Sequence, residues 1–425
     1  MFNVSVFYSV LSRLLKVVSG PLILVAISNN LSHQEIAIYY AFFNIIAFKQ
    51  LAELGIGFVV RQSIAFDSES LNTETTREIV SDKINFCASW FAKVSLFVFL
   101  IIGPIGAFFF SSIDASVDWF GAWILLIAVT SLSLFVNPLL IYLEGIQYIK
   151  LTYKVKLVMG LSYSMLLLAF IMLDFQLYSI SLAIAASNAL AFIMISKCDV
   201  DLRFISFNLF SRIKDEPEHI KRELLPLIIK TAKVWGVGVV FWNAFNLISI
   251  KLLPIDKAGQ FAFTIAIAKA GYSICESFLS PRFSALSNLI GGGNVETAES
   301  IFKKNRIAAL FLIILGFSIL YFFRFDFNSF VFNGKLITGS NLYIIFIFYS
   351  VLLLMASTTN FIRCFKVEPF VNVSFFNSIF VPFSFYISLI MGLDLYMFPP
   401  LMFLTISYLW SEGIYKKHLR KFKER

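Results

Sequence analysis

The chain alternates between long apolar stretches and short polar connections. Twelve stretches each hold about 20 mostly apolar residues, which is the length of a helix that crosses a bilayer. They run near 7–28, 36–60, 87–110, 119–143, 153–173, 177–197, 224–250, 258–281, 306–323, 339–362, 369–391 and 395–415. Each run is continuous rather than alternating in polarity, which favours helices over the strands of a membrane barrel. The pattern predicts an all-α polytopic membrane protein with twelve transmembrane helices.

Composition excludes the soluble classes of protein. Of the 425 residues, 59% are hydrophobic and 14% are charged, whereas about 25% of the residues of a soluble domain are charged. A soluble enzyme, a disordered tail, a coiled coil and a disulfide scaffold are therefore excluded. Because the first apolar run carries Arg13 and Lys16, no cleavable signal peptide is expected. The four cysteines and three histidines show no metal-ligand spacing, so we expect no metal and no cofactor.

The net charge of +9 comes from 35 Lys and Arg against 26 Asp and Glu. Of these basic residues, 24 lie in the even-numbered connections, in the C-terminal tail or at the adjoining span ends (Lys154, Lys156, Lys197 and Arg306), four lie in the odd-numbered connections, and seven lie deeper within the spans. Basic residues concentrate on the cytoplasmic side of membrane proteins. Both termini are therefore expected in the cytoplasm, and no nucleic-acid partner is needed to explain the charge.

The two halves of the chain share a weak repeat. Residues 31–42 read LSHQEIAIYYAF and residues 252–263 read LLPIDKAGQFAF, an offset of 221 positions. The repeat predicts two six-helix bundles related by a pseudo-two-fold axis along the membrane normal. The predicted domains are an N-terminal lobe (1–197), a cytoplasmic connector (198–223) and a C-terminal lobe with a basic tail (224–425).

The connector has the pattern of a basic amphipathic helix. Leu202, Ile205, Leu209 and Ile213 recur at helical spacing among basic residues. Such a helix would lie on anionic inner-leaflet lipids. A solvated linker helix with no lipid role explains the same pattern.

Seven basic residues lie within the predicted spans and away from their ends: Arg13, Lys16, Lys49, Lys93, Lys230, Lys233 and Lys269. A charge near the bilayer centre costs about 2.5–3.5 kcal/mol, so it usually faces a partner or a water-filled cavity.

Lys49 and Lys269 lie near the middle of spans 2 and 8. Glu53 follows Lys49 by four residues and Glu276 follows Lys269 by seven, so each acid is on the face of its lysine. These charges predict a cationic cavity that binds an anionic substrate. Snorkelling explains the five other cations equally well, and structural ion pairs are the alternative for Lys49 and Lys269.

The sequence resembles the polysaccharide flippases of the multidrug/oligosaccharidyl-lipid/polysaccharide (MOP) exporter superfamily, in particular the O-antigen repeat-unit flippases. The resemblance rests on the pattern from Leu31 to Tyr40, on the segment Glu53-Leu54-Gly55-Ile56-Gly57, and on the span count and basic tail. The usual Gly after the acid is Ala37 in the first copy, and Gly259 is displaced by one in the second.

The resemblance implies a MATE-like fold and a flippase, which is a transporter and not an enzyme. Its substrate would be an undecaprenyl-pyrophosphate-linked oligosaccharide, moved from the cytoplasmic to the periplasmic leaflet of a bacterial inner membrane. The coupling ion, H⁺ or Na⁺, and partnership with a polysaccharide polymerase and chain-length regulator stay open.

Residue roles follow as hypotheses. Lys49 and Lys269 would hold the anionic head, and Arg13, Lys16, Lys230, Lys233 and Lys93 would attract it. Glu53 and Glu276 would balance the charge or carry a coupled proton. The rival functions are a multidrug antiporter of the same superfamily, a polysaccharide polymerase or ligase, and a non-transporting scaffold.

Overall fold

The computed structural model describes residues 19–67, 74–198, 204–210, 216–291, 293–365 and 367–423, together with Val200 and Leu202. Within these residues every regular element is a helix. Seven continuous helices, or eight if one bent pair counts as a single span, are long and apolar enough to cross a membrane. Arg13 and Lys16 lie outside the described residues.

The helices overlap all twelve predicted spans. They are α1 (19–30), α2 (His33–Ile46), α3 (Lys49–Glu53), α4 (Ile56–Asp67), α5 (Glu74–Phe97), α6 (Gly103–Ser111), α7 (Phe120–Ser133), α8 (Val136–Gly145), α9 (Ile149–Met172), α10 (Tyr178–Ser196), α11 (Leu225–Leu252), α12 (Ile255–Gly291), α13 (Val295–Phe322), α14 (Arg324–Asp326), α15 (Ser340–Arg363), α16 (Val371–Ile390) and α17 (Phe398–Lys423). Short π-helical turns occupy Val98–Ile102, Ile220–Leu224 and Phe327–Val331.

The chain divides into two compact units. One comprises Met1–Leu31 and Ala41–Val239, and the other comprises Ser32–Tyr40 and Val240–Arg425. In the first, α9 packs on α10, α10 on α7, and α4 on α5 and α8. In the second, α15 packs on α12, α13 and α17, and α16 on α17. The division falls inside α11 rather than at the predicted connector, and it places the start of α2 in the second unit.

Span 2 is broken twice, although the sequence predicts one continuous helix. α2 and α3 are separated by a turn at residues 47–48, and the direction changes by 47° between the segment His33–Glu53 and the helix Ile56–Ala65. Leu54 and Gly55 have φ of 51° and 69°, a left-handed backbone that favours glycine. The indole N–H of Trp90 on α5 donates to the Ala52 carbonyl at 2.9 Å, which satisfies a group that the break frees.

α5 also donates a hydrogen bond next to a break in span 4. The turn at Leu134–Phe135 separates α7 from α8, four residues before a proline that cannot donate a helical hydrogen bond. The hydroxyl of Ser95 donates to the carbonyl of Ser131 at 2.9 Å. Polar side chains of α5 thus stabilise irregular backbone in neighbouring spans, which keeps the broken helices viable in lipid.

The connector does not form the predicted helix over residues 204–210. These residues form turns and irregular backbone. The backbone N–H groups of Ser206 and Asn208 donate to Asn85 and Ser89 on α5, at 2.8 and 3.1 Å. Because α5 side chains satisfy the backbone of this segment, it does not need helical hydrogen bonds. Ile213 lies outside the described residues.

The core of each unit contains aromatic side chains in close contact. In the first unit, the fully buried Trp123 donates to the Gly103 carbonyl at 2.9 Å and contacts Phe42 and Phe110. In the second, Phe302 stacks on Phe361 with ring centroids 4.2 Å apart. Burial of such rings stabilises each unit beyond the contribution of area alone.

Candidate functional site

Lys49 and Glu53 form the ion pair that their spacing predicts. They begin and end the five-residue helix α3, between the two breaks of span 2. Lys49 Nζ lies 3.8 Å from Glu53 Oε1, and each side chain is 24% exposed. The breaks, the Trp90 hydrogen bond and the pair occur within the same few residues. The pair therefore sits on a short helix whose ends are irregular backbone.

Lys269 lies on α12, which runs without interruption where the first copy of the repeat is broken. Its Nζ lies 5.2 Å from the centroid of the Trp242 ring on α11, which is the geometry of a cation–π contact. The side chain is exposed. A charge at this depth of a membrane helix usually faces a partner or a water-filled cavity.

Glu276 does not form the ion pair with Lys269 that is the alternative interpretation of this lysine. Seven residues of helix separate the two by about 10 Å along the axis, and none of the ion pairs among the described residues joins them. Instead, Glu276 lies beside the hydroxyl of Tyr272, one turn earlier on the same helix. The acid therefore interacts with a phenol, and the lysine with an indole.

Tyr272 connects these groups into one cluster in the second unit. Its ring centroid lies 5.7 Å from that of Trp242 and 6.2 Å from that of Tyr349 on α15. We call Trp242, Lys269, Tyr272, Glu276 and Tyr349 the polar-aromatic cluster. It offers one cation, one carboxylate and three aromatic faces, which suits a ligand that combines an anion with a sugar or ring.

The remaining predicted cations receive less support. Lys93, on α5, is half-buried and makes an interaction of its own. Lys230 and Lys233 lie on α11, but their side chains are outside the description. The structure brings Lys49 to Glu53 and Lys269 to aromatic partners, and it does not test the role of the others.

Sequence reasoning missed the aromatic members of the cluster. Trp242 and Tyr349 come from α11 and α15, and neither has a spacing that links it to α12. One signal was present, because tryptophan in membrane helices concentrates at the interfaces. Trp242 instead lies well inside span 224–250, close to neither of its ends.

A second charged cluster lies outside the spans, where the start of α2 joins the second unit. Ser32 and Glu35 form a reciprocal helix cap with hydrogen bonds of 2.7 and 3.2 Å. Lys335 is buried, and burial lowers its pKa, whereas the nearby Glu35 and Asp256 carboxylates act to raise it. Burial and then Lys335 lower the pKa of His33, and Asp256 opposes them. Protonation of His33 is thus disfavoured in this packing.

Comparison with known proteins establishes the fold. No protein-family model and no curated protein matches the chain. An inward-facing multidrug resistance MATE family transporter of the MOP superfamily superposes with a TM-score of 0.72 at 13% identity, covering 96% of this chain and 95% of that one. A MATE structure in the straight conformation gives a TM-score of 0.60 at 14% identity, covering 99% and 97%.

A further solved structure is a MOP superfamily transporter from Pyrococcus furiosus Vc1, whose reversed pocket polarity suggests a different function. It superposes with a TM-score of 0.58 at 13% identity, covering 97% of each chain. These likenesses confirm the predicted fold class. The chain is a multi-pass membrane protein with the fold of MATE and MOP transporters.

Proposed function

We propose that this chain is a flippase for an undecaprenyl-pyrophosphate-linked oligosaccharide, such as an O-antigen repeat unit. It would move this substrate from the cytoplasmic to the periplasmic leaflet of a bacterial inner membrane. The observation that carries the proposal is Lys269, an exposed cation midway along a membrane helix whose ammonium contacts the Trp242 ring. The fold supports transport, and the cation supports an anionic cargo.

The chemistry of the polar-aromatic cluster fits the two polar parts of this substrate. A pyrophosphate oxygen about 4 Å from the Lys269 ammonium would gain roughly 4 kcal/mol at an effective dielectric constant of about 20. The Trp242, Tyr272 and Tyr349 rings and hydroxyls offer faces and donors for sugars. Lys49, held beside Glu53, would be the corresponding cation of the first unit.

The other roles extend the same logic. Arg13, Lys16, Lys230, Lys233 and Lys93 would attract the anionic head from the cytoplasmic side. Glu53 and Glu276 would release their partners or take up a coupling ion, H⁺ or Na⁺. A polysaccharide polymerase and a chain-length regulator are the proposed downstream partners. The anionic lipid contact predicted for the connector also remains a proposal, now without the helix over residues 204–210.

One observation favours a second candidate, the export of organic cations. Glu276 lies among aromatic rings, and such sites bind quaternary or aromatic cations. Lys269 opposes this reading, because it would repel the same ligand from the same cluster. The reversed pocket polarity of the Pyrococcus furiosus transporter is a precedent within the fold for cargo of a different kind.

Charge variants of Lys269 test the proposal. A chromosomal deletion is complemented with Lys269→Ala, Lys269→Arg or the control Lys257→Ala, an exposed lysine in the first turn of the same helix. At equal membrane levels, we expect surface polysaccharide to fall at least tenfold for Lys269→Ala, because one charge-assisted contact contributes about 1.5–3 kcal/mol. Lys269→Arg should retain most display, and Lys257→Ala all of it.

Two results would contradict the proposal. If both Lys269→Ala and the Lys49→Ala/Lys269→Ala double variant show normal surface polysaccharide, the two lysines are not required for transport. Normal polysaccharide in the deletion strain, together with new sensitivity to cationic drugs, would support the second candidate instead. Sensitivity that Glu276→Gln reproduces would assign that activity to the polar-aromatic cluster.

A further inference from the structure

An apolar groove of about 430 Å³ lies between α13 and α15. Its α13 side consists of the residues at positions i, i+3, i+4, i+7 and i+8 counted from Ile314, and its α15 side continues the same pattern from Tyr343 to Leu354. Residues at these spacings share one face of a helix. The groove is therefore bounded by one face of each of two helices that belong to the second unit.

Two buried aromatic rings form the floor of the groove. Phe317 and Phe346 stack with their centroids 4.4 Å apart, and each is at most 5% exposed. A Cβ atom added at Gly271 on α12 would lie 2.8 Å from the Phe317 ring, so this ring also packs closely on α12. Other lining residues, among them Ile314 and Phe322, are exposed. The groove thus has a packed floor and an open side.

The groove covers one half of the bilayer. The predicted spans of α13 (306–323) and α15 (339–362) have their centres near residues 314 and 350. From these centres the groove extends to Phe322 and Tyr343, at the ends predicted to be periplasmic. Ile314 and Phe322 are about 12 Å apart along α13, and one half of the hydrocarbon core is about 15 Å thick. The groove therefore has nearly the length of one leaflet.

α13 is the helix that the rest of the protein covers least. Of the seven continuous apolar helices among the described residues, its apolar part has the smallest buried share, 17%. Because the chain has the fold of multi-pass transporters, lipid is the solvent of such an exposed apolar surface. The groove is therefore accessible to lipid from the side.

An arginine lies at the outer end of the groove, which is the end predicted to be periplasmic. Arg324 begins α14, two residues after α13 ends. Its Cζ lies 4.6 Å from the ring centroid of Tyr321, which lines the groove, and 4.4 Å from that of Phe325. These are cation–π distances, so two rings hold the guanidinium in place. The groove thus ends at a positioned cation.

This arginine has unused hydrogen-bond donors. Arginine carries five N–H donors. Nη1 of Arg324 donates to the Tyr321 carbonyl at 2.9 Å, whereas Nε is buried and has no hydrogen-bond partner among the described residues. None of the ion pairs in the described part of the chain includes Arg324, and Asp326 is two residues away, a spacing at which helical side chains do not face each other. A buried donor without an acceptor is costly, and a phosphate oxygen would satisfy it.

We propose that the groove binds one phospholipid of the leaflet predicted to be periplasmic. An acyl chain packs on Phe317 and Phe346, and the phosphate accepts hydrogen bonds from the guanidinium of Arg324. Tyr349 of the polar-aromatic cluster lies about 130° around α15 from the middle of the groove face. The lipid site is therefore on another side of α15, and it does not depend on the flippase assignment.

The test measures binding of dioleoyl phosphatidylglycerol to the full-length protein, which is purified, delipidated and titrated in detergent under native mass spectrometry. Arg324→Gln should weaken binding at least about tenfold, which corresponds to about 1.4 kcal/mol, because the phosphate loses a charge-assisted contact. The matched control is Lys257→Gln, which removes the same charge from an exposed residue of another odd-numbered connection. This control should bind the lipid as the wild type does.

A second pair of variants tests the groove with Arg324 intact. Ser318→Phe places a ring in the groove from α13, and it should also weaken binding at least about tenfold. Its control, Gly316→Phe, adds the same ring on the opposite face of α13, where nothing lies within 4 Å of an added Cβ, and it should leave the affinity unchanged.

Two competitors separate the parts of the lipid in the wild-type protein. Dioleoylglycerol has the chains without the phosphate, and glycerol 3-phosphate has the phosphate without the chains. We expect each to compete much more weakly than the intact phospholipid, because the site uses both parts.

Several outcomes would overturn the proposal. Equal weakening in Lys257→Gln would reduce the effect to general attraction by surface charge. Full competition by glycerol 3-phosphate would show an anion site that does not use the groove, and full competition by dioleoylglycerol would show a groove that does not use Arg324. Displacement by undecaprenyl phosphate at equal concentration would assign the groove to the transported lipid. A dimer that Ser318→Phe separates would make the groove a contact between two copies. If Arg324→Gln does not fold, the two competitors on the wild-type protein decide.

Discussion

Substitution of Gly259 tests how the start of α2 packs on the second unit. A Cβ atom at Gly259 would lie 1.9 Å from the carbonyl oxygen of His33, whereas ordinary van der Waals contact begins near 3.4 Å. The chain at residues 32–35 would have to move by about 1.5 Å, and its neighbour is backbone that cannot rotate away. The move would disturb the Ser32–Glu35 cap.

We expect Gly259→Ala to lower the free energy of unfolding by roughly 1–3 kcal/mol, the cost of overpacking. Gly316→Ala is the matched control, because it lies in a helix of the same unit and nothing is within 4 Å of its added methyl. That control should be neutral or stabilising by up to about 1 kcal/mol, since alanine favours helix.

The assay is reversible unfolding in mixed micelles, followed by tryptophan fluorescence, with both variants at equal protein and detergent concentration. Hydrogen exchange of the peptide that covers residues 31–40 gives an independent readout, because the shift should loosen this peptide first. Wild-type stability and protection in Gly259→Ala would refute the close approach of the two helices. A loss of similar size in Gly316→Ala would show that the effect is not specific.

Three further predictions follow from individual contacts. Arg306→Met should destabilise by about 3–5 kcal/mol in thermal unfolding, because it leaves Glu412 buried without its cation, and Arg306→Met/Glu412→Leu should recover part of that loss. Trp90→Phe should cost about 1–3 kcal/mol, because the Ala52 carbonyl loses its donor; wild-type stability would contradict this. The pKa of His33 lies below the reference value of 6.5, so the unfolded chain is protonated first and stability should fall as pH drops below about 6.5. His33→Gln should flatten this part of the stability curve, and an unchanged slope would exclude His33 as its source.

The length of the apolar stretches in the sequence was sufficient to predict where the helices lie. Every predicted span overlaps a helix, because the need to satisfy backbone hydrogen bonds in lipid leaves few alternatives to a helix for a long apolar run. The breaks were not predictable in the same way. The interruption at Leu54–Gly55 depends on Trp90, and that at Leu134–Phe135 depends on Ser95, and both partners lie far away in the sequence.

Local spacing also separates the contact that formed from the one that did not. Lys49 and Glu53 are four residues apart on one helix, so their contact follows from helical geometry. Lys269 and Glu276 share a face but not a turn, and each instead interacts with an aromatic residue. The partners Trp242 and Tyr349 come from other helices. No periodicity in α12 points to them.

The connector shows that apolar residues at helical spacing do not always form a helix. Leu202, Ile205 and Leu209 have helical spacing, but the described residues 204–210 are not helical. Side chains of α5 accept hydrogen bonds from backbone N–H groups of this segment, and Ile205 is buried. A pattern of three or four apolar residues does not indicate whether side chains of a neighbouring helix will form hydrogen bonds with the backbone of the segment.

The leaflet distribution of the lipid-linked glycan tests the central claim most directly. The protein is depleted, and undecaprenyl-pyrophosphate-linked units are quantified on each leaflet with a non-permeant glycan probe. We expect complete units to accumulate on the cytoplasmic leaflet, and we expect Lys269→Ala to reproduce this whereas Lys257→Ala does not. Accumulation on the periplasmic leaflet would place the block after flipping, at a polymerase or ligase. No change on either leaflet would contradict this substrate class altogether.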